Sequence, residues 1–238
     1  TITFSHPSHN SLPGRLLRKL ATTIDVAGTN PDVIVIVLKS GGERTFCAGA
    51  SFDELIAIND FKTGKQFFMG FANVINACRK CPKLIIGRVQ GKAVGGGVGV
   101  ASAVDYCLAT KFAQVKLSEL AVGIGPFVVG PAVERKIGVA AFSQMAINAT
   151  EFQSAEWAKD RGLYAEVYEN ADQLDKAVQT LAEQLVNSNP EAQIMMKQAF
   201  WQGTEGWDNL LEQRAEMSGQ LVLSDYTKKA LARFNKAI

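Results

Sequence analysis

Two apolar runs without alternation, Val33-Ile34-Val35-Ile36-Val37-Leu38 and Leu84-Ile85-Ile86-Gly87-Arg88-Val89, constrain the fold more than any other feature of this chain. A strand with one wet face alternates apolar and polar residues, whereas a short continuous apolar run needs cover on both faces. Between the runs, Phe67, Phe71, Val74, Ile75 and Cys78 recur at helical spacing. Strand and helix thus alternate through the first two thirds, which predicts a layered α/β core with right-handed crossovers. Ile2–Phe4, Tyr106–Ala109 and Ala165–Tyr168 are shorter strand candidates.

After about Asn170 the helical period takes over. Leu174, Ala177, Val178, Leu181 and Leu185 mark one amphipathic helix, ended by Asn187-Ser188-Asn189-Pro190, and Pro190 suits the first position of the next. Gly203 and Gly206 interrupt, Leu210, Leu211, Met217 and Leu221 resume the period, and Ser224 reads as the N-cap of a last helix. Phe200, Trp201 and Trp207 give these helices more apolar surface than an isolated hairpin hides, so they are expected to pack on the core or on another subunit. The division expected is a core over 1–188 and a helical region over 189–238.

A net charge of +2, with no basic block interleaved with aromatic residues, gives no reason to expect a nucleic-acid partner. No apolar run reaches membrane-spanning length and no signal peptide opens the chain, so the expectation is a cytoplasmic protein without a membrane partner. The chain starts at Thr1 rather than a methionine, and targeting information ahead of it would not be visible. Four cysteines, at 47, 78, 81 and 107, are too few and too irregular for a disulfide framework. Cys78-Arg79-Lys80-Cys81 ends a helical pattern just before Pro82, the wrong end of a helix for an activated thiolate, and His6 and His9 are not spaced as a zinc pair. Ordinary thiols are expected, and no metal, flavin or nicotinamide is implied.

Chemistry concentrates in three segments. Gln90-Gly91-Lys92-Ala93-Val94-Gly95-Gly96-Gly97-Val98-Gly99 places glycines at a helix start, where backbone N–H groups face outward and negative charge is favoured. It fits neither GxxxxGK[S/T] nor GxGxxG, and close helix packing is the competing reading. Thr45-Phe46-Cys47-Ala48-Gly49-Ala50-Ser51-Phe52 supplies a second small-residue turn after the Val33–Leu38 strand. Turns near Ala50 and Gly96 could hold one carbonyl oxygen between two backbone donors. The third segment, Lys116-Leu117-Ser118-Glu119-Leu120-Ala121-Val122-Gly123-Ile124-Gly125-Pro126-Phe127, sets one carboxylate among apolar neighbours. By itself Glu119 reads as a solvated strand-end residue.

Phe46–Ala50, Gly91 with Gly95-Gly96-Gly97, Asp105, and Ser118-Glu119 with Gly123-Ile124-Gly125-Pro126 together resemble the crotonase (enoyl-CoA hydratase/isomerase) superfamily over nearly the whole chain. The resemblance implies a repeated ββα core with a helical C-terminal trimerisation region, a homotrimer or dimer of trimers, and a coenzyme A thioester as substrate with no further cofactor. It implies that Ala50 and Gly96 are the oxyanion-hole donors and that Glu119 is the acid/base. Ala48, Ser51, Phe52, Gly95, Gly99, Phe127 and Lys236 are the accompanying substrate-contact candidates, with Lys228, Lys229, Arg233 and Lys236 of the last helix facing either the cofactor tail or solvent.

Three departures matter. Gly99 stands where hydratases of that family carry their first glutamate, Ser51 replaces the usual aspartate after the oxyanion alanine, and Phe127 replaces the aspartate of hydrolases and dienoyl isomerases. One base can take a proton from C2 of a 3-enoyl-CoA and return it at C4, whereas hydration needs a positioned water; losing one acid/base group commonly costs about 10²–10⁴ in rate. The resemblance therefore implies a double-bond isomerase first, with hydration, for instance of a branched enoyl-CoA, and a non-catalytic acyl-CoA-binding or scaffold role as alternatives. With the family context, burial beside Leu117, Leu120, Val122 and Phe127 predicts a raised pKa for Glu119.

Overall fold

The computed structural model describes the backbone of residues 1–235 and side chains through 233. The chain runs β1 (Ile2–Phe4), α1 (Gly14–Thr29), β2 (Val35–Ser40), β3 (Thr45–Cys47), α2 (Phe52–Ile56), α3 (Phe61–Lys80), β4 (Leu84–Val89), β5 (Lys92–Val94), α4 (Gly96–Ala103), β6 (Tyr106–Thr110) and β7 (Val115–Lys116). A 3₁₀ turn (Leu120–Val122), α5 (Gly130–Ile147), α6 (Ala155–Asp160), β8 (Glu166–Tyr168) and α7 (Ala171–Val186) follow, then α8 (Pro190–Phe200), α9 (Trp207–Leu221) and α10 (Asp225–Asn235).

Strands β1-β2-β4-β6-β8 form one parallel sheet, and β3-β5-β7 form a second, smaller one. From β2, β4 and β6 the chain steps into the small sheet and returns through helix, giving three successive ββα turns. This is the repeated ββα core that the family resemblance implied. The five candidate strands are present, with Val33–Leu38 displaced to Val35–Ser40. The strands of the small sheet, two or three residues each, escape the sequence reading because no periodicity can show over so short a span.

All six residues of β4 are buried, which explains its unalternating text. Ile85 and Val89 join the main core with Ile36, Ile75 and Ile24, while Ile86 faces the other way, onto Leu174 and Val178 of α7. Both faces of the sheet are covered, and each such aliphatic side chain contributes about 1.5–3 kcal/mol by leaving water. Helix α1 buries Leu17, Leu20, Ala21 and Ile24 at helical spacing.

The terminal helices are tied to this core. Asp105, just before β6, accepts from Lys197 Nζ at 2.8 Å, from Trp201 Nε1 at 2.8 Å and from the Ile85 N–H at 2.8 Å. The Lys197 and Asp105 side chains are 3% and 4% exposed, so this ion pair locks α8 to the sheet. Asp105, one of the residues carrying the family resemblance, is thus a structural anchor. Trp201 and Trp207 stack edge to face at 5.8 Å, and Lys65 of α3 pairs with Glu212 and Glu216 of α9. Cys47, Cys78, Cys81 and Cys107 are all buried free thiols, and burial pushes Cys47, Cys78 and Cys107 up to about 12.

Candidate active site

The glycine turn and the Ala48–Ala50 turn meet because β3 and β5 are neighbours and both are followed immediately by tight turns. Gly49 has φ +93° and Gly95 φ +52°, conformations that a side chain would strain. A Cβ at Gly49 would stand 3.1 Å from Val94 O and 3.6 Å from Gly96 N, so the two turns are in near contact. Gly96 begins α4, and its N–H lies in the helix's first turn, where no intrahelical acceptor exists. Among the described residues neither the Ala50 nor the Gly96 N–H donates to a protein acceptor. Two free donors therefore border one cavity.

That cavity has a volume of about 210 Å³. Ala48, Ala50, Phe52, Gly95, Gly96, Glu119 and Phe127, which the family resemblance singles out, line it together, and α3 adds Phe67, Phe68 and Phe71. Of the described residues lining it, Glu119 is the only ionisable one. A Cβ at Gly95 would meet Glu119 Oε1 at 3.0 Å, which sets the carboxylate against the glycine turn. Glu119 Oε2 is sealed from solvent without a hydrogen-bond partner. Burial raises the Glu119 pKa from the ordinary 4.5 to about 7, its own backbone N–H offsetting part of the rise.

The burial arises differently from the expectation. Leu117 is fully buried and Val122 and Phe127 line the cavity, but Leu120 is 49% exposed. The chain enters the 3₁₀ turn at Leu120 and turns that side chain outward, leaving the glycine backbone to cover the carboxylate. The turn closes on Gly123, φ +81°, whose carbonyl accepts from Thr227 Oγ1 of α10 at 2.9 Å.

Two of the predicted contact residues do not line the cavity. Ser51 is turned away from the cavity and caps α2, accepting from the Glu54 N–H at 3.3 Å. Gly99 lies behind the wall: a Cβ there would be 2.5 Å from Val129 Cγ1, so Val129 fills the space that a side chain at 99 would need. Lys236 lies outside the described residues. Asp53 and Glu54 do not line the cavity, and Glu54 Oε2 accepts from the Gly14 N–H at 2.8 Å. Lys228 borders a separate groove with Leu55, Ile58 and Leu231, and Lys229 and Arg233 are exposed.

Val129 and the α3 phenylalanines are site residues that sequence reasoning missed. Phe67 and Phe71 were visible only as a helical stripe, which reads as core. The competing reading of the glycine cluster also holds in part, because a Cβ at Gly96 would come within 2.3 Å of the Phe71 ring. The arrangement can accept one polarised oxygen between two backbone donors and can exchange one proton with a bound molecule.

The enoyl-CoA hydratase/isomerase family model matches residues 1–236. The chain belongs to the enoyl-CoA hydratase/isomerase family. Within this family, a relative named Delta(3,5)-Delta(2,4)-dienoyl-CoA isomerase, peroxisomal, from Arabidopsis thaliana is 27% identical over 96% of this chain and 86% of its own length. A short-chain-enoyl-CoA hydratase from Clostridium acetobutylicum is 26% identical over 98% of this chain and 89% of its own. Mitochondrial methylglutaconyl-CoA hydratase from Rattus norvegicus is 30% identical over 82% and 63%. Among solved structures, an enoyl-CoA hydratase from Bacillus halodurans superposes with a TM-score of 0.89 at 21% identity, covering 97% of this chain and 94% of that one, a likeness of fold.

Proposed function

We propose that this chain shifts the double bond of a 3-enoyl-CoA to the 2-position, with the Ala50 and Gly96 N–H groups as the oxyanion hole and Glu119 as the sole acid/base. Val129 carries this reading. Gly99 brings no carboxylate, Val129 fills the space beside it, and Glu119 is the only acid among the described residues lining the cavity, so none of these supplies a second acid to hold a water for addition to C3.

The steps follow from the geometry. The thioester oxygen sits between the two N–H donors, each of the kind typically worth about 10²–10³ in rate as charge grows on that oxygen. This acidifies the C2 proton, which the Glu119 carboxylate removes to give the enolate. The same carboxyl then returns the proton at C4, and the electron pair moves so that C2=C3 replaces C3=C4. A pKa near 7 suits a group that must both take and give a proton at neutral pH.

Phe52, Phe67, Phe68, Phe71 and Phe127 favour an uncharged acyl tail, because a charged end would be buried without a partner. The relatives comprise both hydratases and an isomerase. The reaction is therefore assigned by assay: the purified protein is incubated separately with 3-hexenoyl-CoA and crotonyl-CoA, and the enoyl thioester absorbance is followed. Absorbance rising with the first and holding with the second is expected. Conversion of crotonyl-CoA at the greater rate would make it a hydratase, and binding without either conversion would make it a non-catalytic acyl-CoA binder.

A further inference from the structure

We propose that Asn10 is a positioning residue that aims the Ala50 N–H into the cavity by way of the 9–12 turn; this rests on the oxyanion role assigned above. His9 and Asn10 are the non-glycine residues with positive φ among those described, at 52° and 55°. Two consecutive left-handed residues cost conformational energy, and Asn is among the side chains that tolerate the region best. The Asn10 side chain holds the turn in place. Its Oδ1 accepts from the His6 N–H at 2.9 Å, and its Nδ2 donates to Gly41 O at 2.7 Å and Thr45 O at 2.8 Å. Asn10 is 6% exposed, so these bonds stand little competition from water.

The turn so anchored lies along the outer edge of the Ala48–Ala50 segment. The Ala48 N–H donates to His9 O at 3.2 Å, and the Leu12 N–H donates to Gly49 O at 2.8 Å. The second bond decides the orientation. Gly49 C=O and Ala50 N–H belong to one planar trans peptide and point in opposite directions. Tying the carbonyl outward to Leu12 therefore turns the N–H inward, toward the cavity that Ala50 lines. Glycine is free to rotate, and of the two donors to Gly49 O the Leu12 N–H at 2.8 Å is the stronger tie, the Cys47 thiol standing 3.9 Å away.

Releasing Asn10 should let the Gly49–Ala50 peptide rotate while the cavity walls stay in place. Misplacing one donor by about 1 Å can cost about 10²-fold in rate. The test uses Asn10→Gly, which keeps left-handed backbone freedom, and Asn10→Asp, which keeps the acceptor for His6 and loses both donors. Each is read two ways. In the otherwise unaltered enzyme, kcat on 3-hexenoyl-CoA should fall about 10–10²-fold with KM changed less than about threefold. In a Glu119→Gln background, which holds ligand without turnover, carbonyl-labelled crotonyl-CoA is bound and its C=O stretch is measured by infrared difference spectroscopy.

The Glu119→Gln parent should lower the stretching frequency on binding, and either Asn10 variant should lose most of that shift. An undiminished shift in a folded Asn10 variant, whatever its melting temperature, overturns the positioning role alone. Absence of any shift in the parent instead overturns the oxyanion assignment on which the role rests. Because Asn10→Gly relieves backbone strain and Asn10→Asp preserves the 6–10 turn, failure of one to fold leaves the other to decide.

Discussion

Replacing Glu119 with Gln should abolish turnover and, above neutral pH, make the protein more stable. Folding moves this carboxyl from its ordinary 4.5 to about 7, so the folded state holds the proton more tightly than the unfolded chain. Below about pH 4.5 both states are protonated and the site costs nothing. Between 4.5 and 7 the unfolded chain gives up its proton while the folded protein keeps it, and above 7 the folded protein carries the whole penalty of a largely buried carboxylate. At about 1.36 kcal/mol per tenfold the upper bound is about 3 kcal/mol, and solvent at the residue's exposed edge reduces it to about 1–3 kcal/mol. Glutamine fills the same volume without a charge. The difference in melting temperature, variant minus parent, should be near zero at pH 4.5 and grow to roughly 2–10 °C by pH 8. Taking the difference cancels the titration of every other group, so thermal denaturation across that pH range is a direct assay. A difference independent of pH, or a variant less stable than the parent at pH 8, would refute the buried, partnerless carboxylate.

The same group sets the activity profile: kcat/KM for isomerisation should rise with pH through about 7 and level off above it, measured with 3-hexenoyl-CoA at fixed ionic strength. Gly99→Glu should fold poorly because of Val129, losing at least about 1–3 kcal/mol, and Val129→Gly in the same chain should recover part of that in a denaturant titration. Asp105→Asn should cost about 3–5 kcal/mol by leaving Lys197 charged and buried beside a neutral amide, without altering the pH profile of what activity remains. An enoyl-CoA whose acyl tail ends in a carboxylate should be converted at least about 10²-fold less efficiently than its methyl-ended counterpart, compared as kcat/KM.

Much of this architecture was legible because burial on two faces forces a continuous apolar strand, as in β4, and burial on one face forces a helical stripe, as in α1. The Pro190 helix start and the Ser224 cap followed from local hydrogen-bond chemistry, and Thr227 N–H does donate to Ser224 Oγ at 3.2 Å. The glycine turn and Glu119 could be paired as a site only through the family resemblance, since by itself Glu119 reads as a solvated strand-end residue. What stayed hidden depends on approach between distant parts of the chain. Val129 looks like any apolar residue until α5 brings its entry against Gly99. Ser51 looked like a ligand contact in sequence and proved to be a helix cap, since a hydroxyl before an acidic first turn satisfies the free N–H groups of α2. The outward direction of Leu120 stayed hidden because no local sign marks the 3₁₀ turn that begins there.

The central claim is that one carboxyl, with Oε2 closed to solvent, carries the proton from C2 to C4. A 3-enoyl-CoA deuterated at C2 and converted in ordinary water tests it most directly, with the product analysed for deuterium at C4 by mass spectrometry or NMR. A carboxyl whose Oε2 is closed to solvent should deliver a readily measured share of the label to C4, and Glu119→Gln should deliver none. Complete replacement of the label by solvent hydrogen at full turnover, or turnover retained in Glu119→Gln, would contradict it.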